Sequence, residues 1–153
     1  MKNNYRIFIG LKLSGYLTQT IPMIKSTIQD KKGLISWVSG KNLHLTLSFL
    51  GQVESKQIEE LKSKLKDIST FNSFDIKVDG TGSFPTFKHP KILWLDIKDG
   101  RDELIDIQTD IEKIAIPFKQ NEKNEKFVPH ITIGRVKNAN KSINLDLSTF
   151  SNA

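Results

Sequence analysis

Residues 43–50 and 127–136 restrict the fold more than any other part of this chain. Each is an apolar run carrying the same polar pair: His44-Leu45-Thr46-Leu47 in the first and His130-Ile131-Thr132-Ile133 in the second. In an extended strand alternate side chains share a face. His44 then points with Thr46, and His130 with Thr132, while Leu43, Leu45, Leu47 and Phe49 point the other way. Each segment therefore buries one face in a core and offers an imidazole and a hydroxyl on the other.

The rest of the chain surrounds these strands with alternating periodicities. Residues 5–13 place Ile7, Ile9, Leu11 and Leu13 at period two, a strand. Leu17, Ile21, Ile24 and Ile28 fall at helical spacing; Pro22 interrupts that pattern, so a regular helix is expected from about Ile21, ending at Gly33. Residues 34–38 and 43–50 read as strands joined by the turn-forming Ser39-Gly40-Lys41-Asn42. Ile58, Leu61, Leu65 and Ile68 mark a second amphipathic helix.

A similar order then recurs. Residues 74–78 and 92–97 are strand-like, with GTGSFPTFKHP between them as a loop. Leu104, Ile107, Ile111 and Ile114 mark a third helix, followed by the polar loop KQNEKNEK and a last strand at 127–136. Helices alternate with pairs of strands, which predicts an α+β fold with antiparallel pairing over a doubly wound parallel sheet. The two halves read as rough copies in element order.

Composition removes several kinds of chemistry. No cysteine is present, so disulfides, thiolate nucleophiles and cysteine zinc sites are excluded. No apolar run approaches the 18 or so residues of a bilayer span. The start, MKNNYRIFIGLKL, lacks the pattern of a secretory signal, so a cytoplasmic protein without a membrane segment is expected. The formal charge of +6, carried mostly by lysine, favours anionic partners such as nucleic acid or nucleotides.

Imidazole as a side-chain type titrates near neutrality, so a pair of histidines can hold opposite protonation states, one as base and one as acid. His44 and His130 are the candidates, with the Thr46 and Thr132 hydroxyls as donors to developing negative charge. The third histidine, His89, lies in the Pro-flanked loop and reads as a surface residue. No HExxH, HxH or acidic cluster joins it to the others, so neither a metal nor another cofactor is expected.

These paired motifs resemble the two-histidine (2H) phosphoesterase superfamily, and more closely its bacterial and archaeal RNA 2′,3′-cyclic phosphodiesterases, also called 2′-5′ RNA ligases. Four ordered blocks carry the resemblance: RIFIGLKLS, WVSGKNLHLTLSFLGQV, GSFPTFKHPKILWLDIK and FVPHITIGRV. It implies a bilobed fold, two antiparallel-sheet lobes with outer helices around a central groove, with one motif strand from each lobe lining it. It also implies hydrolysis of a terminal 2′,3′-cyclic phosphate to a 2′-phosphomonoester. By motif position His44 matches the proton donor to the departing 3′ oxygen and His130 the base that activates water. RNA with cyclic phosphate ends, or small cyclic nucleotides, are the expected partners, met by a monomer.

Phe49 and Arg135 each follow their histidine by five residues, and the resemblance implies that they flank base and phosphate. An odd offset points to the opposite face of a regular strand. Either the strand ends, twists or bulges before these residues, or one of them is structural. Lys88 and Lys91 stand where the family usually has arginine, keeping charge but losing the bidentate fork. A single domain over 1–153 is expected, shorter at its C-terminus than is usual in the family, because the sequence stops at Ala153 after SINLDLSTFSNA. A missing edge there would leave a sheet unpaired.

Two other functions fit the same residues. One keeps the scaffold and performs 2′-5′ RNA ligation or cleaves 2′-5′ oligonucleotides. The other is a non-catalytic RNA- or nucleotide-binding module, whose salt-sensitive affinity would survive loss of both histidines.

Overall fold

Among the described residues three α-helices and six strands follow one another as β1 (Asn4–Lys12), α1 (Gly15–Ser26), β2 (Ile35–Trp37), β3 (His44–Glu54), α2 (Ser55–Lys66), β4 (Lys77–Pro85), β5 (Pro90–Asp99), α3 (Arg101–Ala115) and β6 (His130–Val136). This computed structural model describes residues 3–13, 15–28, 30, 33–68, 71–120 and 126–137. The sequence-predicted loop at 119–126 lies partly, and the C-terminal stretch SINLDLSTFSNA wholly, outside the described residues. The strands form two antiparallel sheets, β1-β3 and β2-β6-β5-β4, so the α+β expectation holds.

The chain divides into two compact units, each assembled from three segments. Unit 1 comprises Met1–Leu11, Thr46–Ile76 and Asp99–Pro129; unit 2 comprises Lys12–Leu45, Lys77–Lys98 and His130–Ala153. β3 therefore begins in unit 2 with His44 and Leu45 and continues in unit 1.

Unit 1 packs α2 and α3 with the β1-β3 sheet. Its core contains Leu50, Val53, Leu61, Ala115 and Phe118, with Ile7, Ile9, Ile58, Leu65 and Ile114 against it. In α3, Leu104, Ile107, Ile111 and Ala115 are buried at helical spacing. Gly100 precedes that helix with φ +81°, and a Cβ there would lie 2.7 Å from the Asp75 carbonyl oxygen. Only glycine meets both demands.

Unit 2 holds the four-stranded sheet, with Ile35, Leu93, Leu95, Ile97, Ile131 and Ile133 buried. β6 runs antiparallel to both β2 and β5. The turn into β2 is fixed by Asp30, whose carboxylate accepts the Leu34 and Ile35 backbone N–H groups at 2.7 and 2.9 Å.

Several sequence-predicted boundaries move, each for a physical reason. α1 starts at Gly15, ahead of Ile21, and keeps Pro22 inside. The proline lies on the exposed side, while Ile21 is buried and Leu17 and Ile24 are partly buried. Burying that stripe outweighs the roughly 3 kcal/mol that an interior proline costs. The helix stops at Ser26, short of Gly33. α2 ends at Lys66, leaving Ile68 in the following turn.

The largest correction concerns residues 80–90, which the sequence predicts as a loop. β4 occupies Lys77–Pro85 in place of a strand at 74–78. Its glycines are not loop signals. A Cβ on Gly82 would come within 2.1 Å of the Trp94 indole, so the strand needs glycine for the ring to lie beside it. Gly80 takes φ +97°, which residues with a side chain rarely adopt. β6 starts at His130, three residues later than predicted, because Pro129 has no N–H for a ladder. β3, in contrast, runs four residues further than predicted, through Gly51 at φ +80°.

Candidate active site

The two motif strands present their residues through the same alternation. Over its first seven residues β3 reads half-buried, buried, half-buried, buried, buried, exposed, buried, and β6 reads identically from His130 to Val136. His44 and Thr46, and likewise His130 and Thr132, sit on the partly open face, with Leu45, Leu47, Ile131 and Ile133 buried beneath.

Two consecutive buried residues break the alternation in each strand: Leu47-Ser48 and Ile133-Gly134. In β6 the cause is visible in the register. Leu93 pairs with Gly134 and Trp94 with Thr132, so Ile133 is the extra residue of a β-bulge. A bulge re-phases the side chains that follow it. Arg135 thereby comes out exposed, in phase with His130 and Thr132, opposite Ser36 of β2 and Ile92 of β5. Phe49 does the same on β3 and is 61% exposed, its ring 5.9 Å from that of Phe8 on β1. A bulge thus resolves the parity conflict at Arg135, and on β3 the same burial pattern leaves Phe49 at the surface, outside the core.

The means of support differ. On β6, a Cβ at Gly134 would lie 2.9 Å from Ile35 Cγ2, so glycine lets β2 close on the bulge. On β3, Ser48 is buried and its hydroxyl donates to Glu112 Oε2 at 2.8 Å. Gln108 Nε2 donates to the Leu47 carbonyl at 3.4 Å, and Glu112 also pairs with Lys119. Sequence reasoning missed Ser48, Gln108 and Glu112. Strand parity gave no signal, since it sets Ser48 on the open face with His44 and Thr46, where a hydroxyl is ordinary.

Each histidine is held differently. His44 Nδ1 lies 2.7 Å from the Asn42 carbonyl oxygen. A carbonyl only accepts, so Nδ1 carries the proton in this contact. Asn42 ends the short 3-10 turn Gly40–Asn42, which is what the turn-forming SGKN becomes. His130 instead packs against two rings, Phe84 at 5.2 Å and Trp94 at 5.7 Å, both edge-on. Asp96 of β5 is its direct cross-strand partner.

Structure places the remaining candidates at the surface. His89 is exposed, its N–H donating to Thr86 Oγ1 at 3.1 Å, and Lys88 and Lys91 are exposed beside it. Among the described residues no group of three or more His, Cys, Asp or Glu is arranged to hold a metal. A surface cavity lined by Ile68, Phe71, Ile107 and Ile114 together with Asp67, Asp110 and Lys113 contains none of the predicted site residues.

Comparison with known proteins places the chain. The LigT-like phosphoesterase family model matches residues 17–94, which include the first histidine motif. An RNA 2′,3′-cyclic phosphodiesterase of Aquifex aeolicus is 35% identical over 134 residues, covering 86% of this chain and 71% of the relative. One from Thermotoga maritima is 33% identical over 137 residues, covering 86% and 70%. Among solved structures, Escherichia coli LigT complexed with 3′-AMP superimposes with a TM-score of 0.72 at 22% identity, over 93% of this chain and 78% of that one. TT0787 of Thermus thermophilus gives 0.72 at 20%, over 87% and 75%. At those identities the structures speak for the fold, and the closer sequences for the family: this chain belongs to the LigT-like phosphoesterases of the 2H superfamily, together with the RNA 2′,3′-cyclic phosphodiesterases.

Proposed function

We infer that this chain hydrolyses the 2′,3′-cyclic phosphate at an RNA end, or in a small cyclic nucleotide, to a 2′-phosphomonoester. His130 takes a proton from water as the water oxygen bonds to phosphorus. The bond from phosphorus to the 3′ oxygen breaks, and His44 delivers a proton to that oxygen from Nε2. Thr46 and Thr132 donate to the non-bridging oxygens, whose charge grows in the five-coordinate transition state. Arg135 and Phe49 contribute a guanidinium and an exposed ring for phosphate and base.

The observation that carries this reading is the shared pattern of β3 and β6. It puts an imidazole, a hydroxyl and the fifth residue on one open face of each strand. The names of the relatives support the substrate class. The same reading takes residues 1–153 as one cytoplasmic domain acting as a monomer, without a metal.

Incubation with adenosine 2′,3′-cyclic phosphate in EDTA, followed by identification of the product isomer, tests the proposal. Adenosine 2′-phosphate is expected. The 3′ isomer would reverse the polarity of the scheme, loss on chelation would remove its metal independence, and no turnover of any 2′,3′-cyclic end would defeat it. Joining of 2′,3′-cyclic and 5′-hydroxyl ends without hydrolysis would favour the ligase.

A further inference from the structure

The base of the proposed reaction sits in an aromatic corner that the reaction scheme does not use. Phe84 of β4 and Trp94 of β5 pack on one another at 4.9 Å, and each ring meets the His130 imidazole edge-on, at 5.2 and 5.7 Å. Trp94 is also the cross-strand partner of Thr132, so it stands opposite one motif residue of β6 and packs on the other. Beneath it lies Gly82, where any Cβ would come within 2.1–2.3 Å of three indole atoms.

The indole is not held there by its polar atom. Trp94 Nε1 is buried and has no hydrogen-bond partner among the described residues. A buried unpaired N–H opposes folding. The ring is therefore kept for its shape, a plate wide enough to reach from Gly82 to His130. Two rings edge-on to the same imidazole restrict its turning about the Cβ–Cγ axis. A proton acceptor must hold its nitrogen toward the attacking water, and an error of about 1 Å there can cost roughly 100-fold.

We propose that Phe84 and Trp94, seated on Gly82, are positioning residues that fix the His130 imidazole in its working orientation. This rests on His130 being the base. It assigns a role in the reaction to a strand pair that carries neither histidine motif.

The test combines kinetics with a readout that needs no turnover. Trp94→Leu and Phe84→Leu, checked for folding by thermal unfolding, are expected to lower kcat on adenosine 2′,3′-cyclic phosphate by about 10- to 100-fold with little change in KM. Trp94→Phe keeps a ring and discards the idle N–H, so it should recover most of kcat. Gly82→Ala displaces the indole without altering it or touching His130, and should reproduce the kcat loss; it carries the test if the leucine variants fail to fold. Unchanged kcat in folded variants would overturn the proposal, and so would a rise in KM alone, which would make the rings substrate contacts. The His130 ring resonances in proton–carbon NMR separate this from the function itself. Loss of a ring current alone shifts them, so the readout is linewidth: they should broaden in Trp94→Leu, Phe84→Leu and Gly82→Ala as the imidazole samples several orientations. Unchanged linewidths overturn the positioning role even where the wild type turns over; a wild type without turnover defeats the reaction while this signal still decides the orientation.

Discussion

β3 and β6 carry the same seven-residue pattern of exposure on different foundations. β6 is an interior strand of a four-stranded sheet, bonded to β2 on one side and β5 on the other. β3 is one of only two strands in its sheet among the described residues, and its irregular point is braced by side chains of α3. The bulge in β6 is a matter of backbone register and a missing side chain at Gly134. In β3 the same change of phase is accompanied by a buried hydroxyl and a carboxylate. The same pattern of exposed and buried residues can thus be duplicated while the layer below is built by unrelated means.

If the two strands are equal partners in the reaction, removing either imidazole should cost about the same. His44→Ala and His130→Ala are each expected to lower kcat/KM by about 10²–10⁴-fold, the usual contribution of a general acid or base. Measured on the cyclic nucleotide, strongly unequal losses would mean that one histidine only binds. The double variant should lose much less than the product of the two, since groups acting as a unit are not additive.

The foundations can be compared through matched core deletions. Leu45 and Ile131 follow their histidines directly and are both fully buried. Leu45→Ala and Ile131→Ala are each expected to destabilise by about 2–5 kcal/mol in denaturant unfolding. The interior strand has close-packed neighbours on both sides, which limits collapse around the cavity, so the Ile131 variant should lie toward the upper end. A larger loss at Leu45 would show that the helix-braced strand is the stiffer of the two.

Much of this was legible in the sequence. Period-two runs, the His-x-Thr pairs and helical spacing at Leu104, Ile107 and Ile111 depend on local geometry, and they located most of the elements, including the strands that carry the candidate residues. What the sequence concealed depends on neighbours. Gly80 and Gly82 read as a loop because their reason for being glycine, the indole of Trp94 and a positive φ, comes from another strand or from the backbone itself. The exposure of Arg135 could not follow from parity, since its bulge is set by register against β5, and the buried Ser48 before Phe49 meets Glu112, a partner 64 residues away. Pro22 in α1 shows burial overriding propensity.

Replacing Gly134 should then do more than a surface change. Gly134→Ala sets a methyl 2.9 Å from Ile35 Cγ2, and is expected to cost about 1–3 kcal/mol as an overpacked site. Because the added carbon pushes β2 from the bulge, the orientation of Arg135 should suffer as well, and KM should rise more than kcat falls. A variant with lower stability but unchanged KM would separate the bulge from substrate contact.

The corresponding change on β3 is gentler. Ser48→Ala removes one hydrogen bond to Glu112, but that carboxylate keeps Lys119 and lies 3.5 Å from Gln108 Nε2, so no buried charge is left alone. The methyl group fits where the serine Cβ already sits. A net loss of about 0.5–1.5 kcal/mol is expected, the usual value of one intramolecular hydrogen bond. Phe49 should keep its exposed position, because Gln108 still meets the Leu47 carbonyl, and KM should stay near the wild-type value. A clear rise in KM for Ser48→Ala would instead make the hydroxyl the device that turns β3. In that case Glu112→Gln, which can still accept from Ser48, should leave KM alone, and the two strands would differ only in whether glycine or a hydrogen bond sets the phase.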